Sequence, residues 1–198
     1  MPDQPWNIIT ESLDLLRAAA DAISDADREA STPCAGWTVT QVLQHAAGDQ
    51  LAWAAALGVG TGPAENPFAP SGLIEAGIDD LIEPALATAR TAWAGVRSDD
   101  DAVPTPLPQG RLQARVAAGA CALDAAVHAW DIATALGRPG FLPSSLAGQL
   151  LPAARAIVEP LRPFAYAAAL PPQPDDDATA QLLRYLGRNP RCGTQPPS

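Results

Sequence analysis

The amino-acid sequence predicts an all-α protein: an antiparallel four-helix bundle with additional short helices toward its ends. Apolar residues recur at spacings of three and four along successive stretches, glycine- and proline-rich breaks separate those stretches, and no stretch alternates for long with the period of a strand. The chain has 198 residues, 47% of them apolar, which suits one domain over residues 1–198 with a core of ordinary size.

The first helix is read from Ile9, Leu13, Leu16, Ala20 and Ile23, which form one apolar stripe, and it ends near Ser24-Asp25. A turn-like segment, Ser31-Thr32-Pro33-Cys34-Ala35-Gly36, leads to Trp37 and to Thr38. The Thr38 hydroxyl caps the second helix while Gln41 reciprocates three residues on. That helix sets Val42, His45, Ala46, Asp49 and Trp53 along one face and closes near Gly58. After a loop to about Gly72, residues Leu73 to about Arg97 read as a third helix, with a kink or a late start at Pro84. Asp99-Asp100-Asp101 and Pro104, Pro106 and Pro108 then break the pattern.

The fourth helix, from about Leu112 to Leu136, is rich in alanine, takes Gly137 as its left-handed cap and has Pro139 beyond. A fifth helix runs from Ser144 or Ser145 to about Val158. A short sixth runs from Ala178 to Leu186, capped by Asp177 and stopped by Gly187-Arg188-Asn189-Pro190. The tail Gln195-Pro196-Pro197-Ser198 reads as loose.

Composition removes several chemistries. Every one of the 12 bases is arginine, so a Schiff-base lysine and the phosphate lysine of a P-loop are both excluded. Those arginines are scattered and outnumbered by 22 acids, for a net charge of −10, which argues against nucleic acid and against an anionic membrane surface. No apolar run is read as approaching the roughly 20 residues that span a bilayer. The start, Met1-Pro2-Asp3-Gln4, lacks the basic residues of a signal peptide, so the expected location is cytoplasmic. Cys34, Cys121 and Cys192 are odd in number and far apart, and they read as ordinary buried or surface thiols rather than a disulfide or zinc framework.

Chemistry concentrates on two histidines. Asp124 and His128 are four apart on the fourth helix, so their side chains share a face and can grip one ion. His45 and His128 are the whole histidine complement, and both fall inside helices among alanine, valine and tryptophan, where an imidazole is costly to bury without a partner. With His45 on a helix that can face the fourth, two imidazoles and a carboxylate would hold a divalent metal and leave a position open, the arrangement of a catalytic site.

The sequence resembles the DinB-like helical bundles, and within them the actinobacterial mycothiol-dependent maleylpyruvate isomerase group of metal-binding proteins. The resemblance runs through Thr32-Pro33-Cys34-Ala35-Gly36-Trp37-Thr38-Val39 leading to His45. It continues in Asp124-Ala125-Ala126-Val127-His128-Ala129-Trp130-Asp131 leading to Gly137, and in Leu182-Leu183-Arg184-Tyr185-Leu186-Gly187-Arg188-Asn189-Pro190. It implies a zinc or similar divalent ion on His45, Asp124 and His128, and mycothiol as a metal-activated thiol that attacks an electrophilic substrate. The isomerase has glutamate where this chain has the shorter Asp124, so the ion would sit closer to that helix or bind more weakly. The isomerase also has a further C-terminal domain with no counterpart in this sequence, so its particular substrate is not carried over.

Other residues admit two readings. Asp131 either accepts the second imidazole N–H of His128 or is a solvent-facing helix acid. Asp49, four after His45, reads as an exposed acid rather than a hydrogen-bond partner of the site or a fourth ligand. Trp37, Trp53 and Trp130 either line a pocket or fill the core. Cys34 is not expected to be the nucleophile, because the thiol comes from the cosubstrate.

Two functions follow. One is a thiol-using S-transferase or isomerase, with a small-molecule thiol and an electrophile as partners. The other is a non-catalytic bundle that binds a metal or small ligand. Zinc suits the donors, although nickel, iron, cobalt or manganese share them. The expected assembly is a monomer or homodimer.

Overall fold

The structure, a computed structural model, describes residues 6–138 and 140–192. The expectations for the first four residues, Pro139 and the 195–198 tail fall outside the described residues. Among the described residues six helices make up the fold: α1 (Asn7–Asp21), α2 (Val39–Ala56), α3 (Ile78–Ala94), α4 (Ala114–Ala135), α5 (Ser144–Leu161) and α6 (Ala178–Tyr185). Strands β1 (Val103–Pro104) and β2 (Arg111–Leu112) form a two-residue antiparallel hairpin, and a single 3-10 turn covers Asp25–Asp27.

α4 is the central helix. It packs against α1, α2 and α5, while α3 rests on α1 and α2, and α6 on α5. Seventeen of its 22 residues are buried, and most of them are alanine, which lets three neighbours approach closely. At Gly119 an added Cβ would stand 2.5 Å from that of Ala153 on α5. In length and composition α4 is apolar enough to cross a membrane, contrary to the expectation that no such run exists. Here 89% of the stretch is buried inside the bundle, where its neighbours supply the apolar surroundings.

The ends of the helices follow their capping residues. On α2, Gln41 N–H donates to Thr38 Oγ1 at 3.3 Å and Thr38 N–H to Gln41 Oε1 at 3.0 Å, the reciprocal box read from the sequence. α4 ends in a Schellman turn: Gly137 (φ 68°) donates to Thr134 O, and Arg138 donates to Ala133 O at 2.8 Å. α1 closes at Asp21, a little before the expected end.

α3 starts late, at Ile78, with Pro84 inside it. The residues before it are committed elsewhere, since Gln44 of α2 receives Gly72 N–H at 2.8 Å and donates to Leu73 O at 2.8 Å. α5 continues to Leu161, past the expected end, with Pro160 confined to its last turn.

Candidate metal centre

His45 leaves α2 in the turn that faces α4, and two loops brace it. The turn before α2 is fixed by Thr32, whose Oγ1 accepts Cys34 N–H at 3.1 Å and donates to Trp37 O at 2.9 Å. That places the Trp37 ring 4.9 Å from the His45 ring. The loop after α2 returns over Gly48, where only a missing Cβ leaves room for Pro67, since an added one would lie 3.0 Å from Pro67 Cγ. Pro67 O meets His45 Nδ1 at 2.9 Å. A carbonyl can only accept, so Nδ1 carries the hydrogen and Nε2 is the nitrogen left to face inward.

His128 is set the same way from the other side. Its Nδ1 meets Asp131 Oδ2 at 3.1 Å, and Asp131 is fully buried. Burial would raise the Asp131 pKa, but Arg188 and His128 outweigh it and hold the carboxylate ionised. It therefore accepts the Nδ1 hydrogen and leaves Nε2 as the free nitrogen.

Both Nε2 atoms converge on one carboxylate oxygen. Asp124 Oδ1 lies 3.4 Å from His128 Nε2 and 3.7 Å from His45 Nε2, and the three donor atoms are all within 4.8 Å of one another. A tetrahedral zinc with bonds of about 2.0–2.2 Å spaces such donors about 3.4 Å apart, so the residues present fit a divalent ion. Two lone pairs and a carboxylate facing each other in a buried site also demand a cation between them. In the absence of metal a proton takes that part. Burial lowers the His128 pKa, but Asp124 and Asp131 outweigh it and raise it to about 10. Burial likewise opposes ionisation of Asp124, yet His128 and His45 hold its carboxyl well below the usual range. Behind Asp124, Gln50 donates to Oδ2 at 3.4 Å and receives the Cys121 thiol at 3.2 Å, so the carboxylate is supported from the core.

These donors form the floor of a cavity of about 580 Å³, walled by Leu107, Leu123, Val127, Leu161 and Phe164. Four further polar residues line it, none of them among the expected ligands. Asp49, expected to be exposed, is a correction: one turn beyond His45 on the same face, it lines the cavity, its Oδ2 3.8 Å from His45 Nε2. Burial, then Asp124, push its pKa up to about 7.

Cys34, read as an ordinary thiol, is a free, half-buried cysteine that also lines the cavity. Its Sγ lies within 4.8 Å of donor atoms of His128 and Asp131. That trio leaves no carboxylate oxygen for an ion, because Arg188 and His128 occupy Asp131 already. Burial pushes the Cys34 thiol up, so it is a poor thiolate.

Arg188, read as part of a helix stop and of the third motif but given no role in the site, bonds both oxygens of Asp131 and lines the cavity. Tyr166 comes from a segment with no motif at all.

The structure thus brings His45, Asp124, His128 and Asp131 together, the last as a buried partner rather than a solvent-facing acid. Trp37 lines the cavity, whereas Trp53 and Trp130 belong to the core.

Two uncharacterised proteins of Mycobacterium tuberculosis, from strains CDC 1551 / Oshkosh and ATCC 25618 / H37Rv, are each 34% identical over 169 residues, covering 81% of this chain and 84% of theirs. No solved structure matches. The family model for the mycothiol maleylpyruvate isomerase N-terminal domain matches residues 9–133, which takes in nearly all of α1 to α4 and all three converging donors. With a match over that much of its length, the chain belongs to the family of the mycothiol maleylpyruvate isomerase N-terminal domain.

Proposed function

We propose that the chain is a metal-dependent enzyme in which His45, Asp124 and His128 hold one divalent ion, zinc first among them. A low-molecular-weight thiol, mycothiol, is the nucleophile for S-transfer to, or isomerisation of, a small electrophile in the cytoplasm. The observation that supports this most is the convergence of two Nε2 atoms and Asp124 Oδ1 on the floor of a cavity of about 580 Å³, because donors placed there serve a ligand entering from the cavity.

A divalent ion bound at these donors supplies Lewis acidity that lowers a thiol's pKa from about 8.5, so that thiolate prevails at neutral pH. The protein's own residues do the rest. Pro67 O and Asp131 keep hydrogen on the Nδ1 atoms and so hold both Nε2 atoms available. Leu123, Val127 and Leu161 keep the floor dry, which strengthens charge interactions there. Cys34 stays protonated, which leaves the nucleophilic role to the added thiol.

The test combines elemental analysis, calorimetric titration with mycothiol, and turnover with a panel of electrophiles. About one metal per chain, with thiol affinity and turnover that depend on the metal, is the expected result. Metal without thiol affinity would favour a storage or sensing protein instead. Turnover by His45→Ala equal to that of the unaltered protein would overturn the role given to the metal.

A further inference from the structure

We infer that the small molecule accepted beside the thiol is neutral and apolar, not a carboxylate; calling it an electrophile rests on the function proposed above, whereas its polarity rests on the cavity. The chain exposes few large apolar side chains: Phe68, Leu73 and Phe164 stand out among the described residues. Two of the three, Phe68 at 58% and Phe164 at 63% exposure, line this same cavity from loops far apart in sequence. Large apolar groups left in water at the mouth of a pocket mark a surface that gains by being covered. Pro106 and Leu107, at the tip of the β1–β2 hairpin, extend that surface.

Charge points the same way. Arg188 is the one arginine among the described lining residues, and Asp131 takes its Nε at 2.9 Å and its Nη2 at 2.8 Å. Asp49 and Asp124 also line the cavity, and the chain carries a net −10 with no lysine. The two positive charges of a metal ion would be answered by Asp124 and the thiolate. Nothing remains to offset a second anion, and a carboxylate stripped of water against Phe164 and Leu161 is costly without a partner.

The inference is tested by equilibrium binding of 2-naphthalenemethanol and 2-naphthoate, which differ in charge but little in shape. The metal-free protein is used, because a carboxylate coordinates zinc directly whatever the wall prefers. The alcohol is expected to bind at least tenfold more tightly, and Phe164→Ser to weaken it about fivefold. Equal or inverted affinities, no binding of the alcohol, or an indifferent Phe164→Ser would overturn the inference.

A second arm compares zinc-loaded turnover of benzyl chloride with 4-(chloromethyl)benzoate in the presence of mycothiol. There the sulfur–carbon bond forms, the carbon–chlorine bond breaks, chloride leaves with the electron pair and the thiol proton goes to solvent. Benzyl chloride is expected to react at least tenfold faster, and a preference for the carboxylate would overturn the inference. Failure of both substrates alongside the expected binding preference would sink the thiol chemistry and leave the selectivity of the cavity standing.

Discussion

Arg188 grips both carboxylate oxygens of Asp131, at 2.9 and 2.8 Å, across 57 residues of sequence. Asp131 in turn holds His128 Nδ1, so one guanidinium beyond α6 fixes the orientation of an imidazole on α4. Asp131 is completely buried and the Arg188 side chain is 11% exposed.

Arg188→Met leaves a buried carboxylate unpaired and is expected to cost about 3–5 kcal/mol in denaturant unfolding. Zinc affinity should fall about 10–100-fold in a competition titration, since the partner of a ligating histidine is disturbed. Adding Asp131→Leu should restore most of the stability and little of the affinity. Recovery of both together would contradict the orienting role.

Zinc uptake should release about one proton per ion at neutral pH, because the metal displaces the proton that His128 holds when metal-free. Calorimetry in two buffers of different ionisation enthalpy measures it, and a heat independent of buffer would count against it.

The same groups set the pH dependence of the metal-free protein. His128 is raised from 6.5 to about 10, so its contribution to stability is complete below pH 6.5 and disappears as pH rises through 10. Asp49 is a carboxyl raised from 3.8 to about 7, so its contribution is complete below pH 3.8 and is lost through pH 7. Both slopes run downward, and thermal melts should show the metal-free protein roughly 5 °C less stable at about pH 9 than at about pH 6. Saturating zinc should flatten that slope.

Gly119→Ala puts a methyl group 2.5 Å from Ala153 Cβ and forces α4 and α5 apart. A loss of about 1–3 kcal/mol is expected on chemical denaturation. Ala153→Gly in the same protein should recover much of it, and failure to do so would place the strain elsewhere.

Gly48→Ala probes His45 through its loop. The new methyl reaches to 3.0 Å from Pro67 Cγ and must displace the proline whose carbonyl orients the ring. Zinc affinity should drop severalfold with less than about 1 kcal/mol lost from the fold. An unchanged affinity would mean that Trp37 and Phe68 orient His45 without Pro67.

Periodicity and caps made the helices legible. Thr38 with Gln41, Gly58, Gly137 and Asp177 sit at helix ends because local hydrogen bonding decides there, and local sequence carries that information. The late start of α3 was not legible, since it depends on Gln44 of another helix. The same divide runs through the site. Asp124 and His128 share a helix face and announce themselves by spacing. Asp49 has the same offset from His45, yet which face of α2 meets the cavity is a property of packing. Arg188 stood in a motif, but its role was hidden, because its partner lies on a different helix. Phe164 and Tyr166 belong to a segment without periodicity.

Gly187 carries a consequence for the order in which the centre is built. Its φ of 81° and the bond from Arg188 N–H to Leu183 O turn Arg188 back toward Asp131. An added Cβ there would stand 2.7 Å from that of Ala167 and 2.9 Å from Ala168 O. All three donors leave the ribosome well before this turn does. A growing chain that has reached α4 therefore carries all three donors but not the brace on His128, and tight binding of the proposed ion is expected only once the turn after α6 has formed.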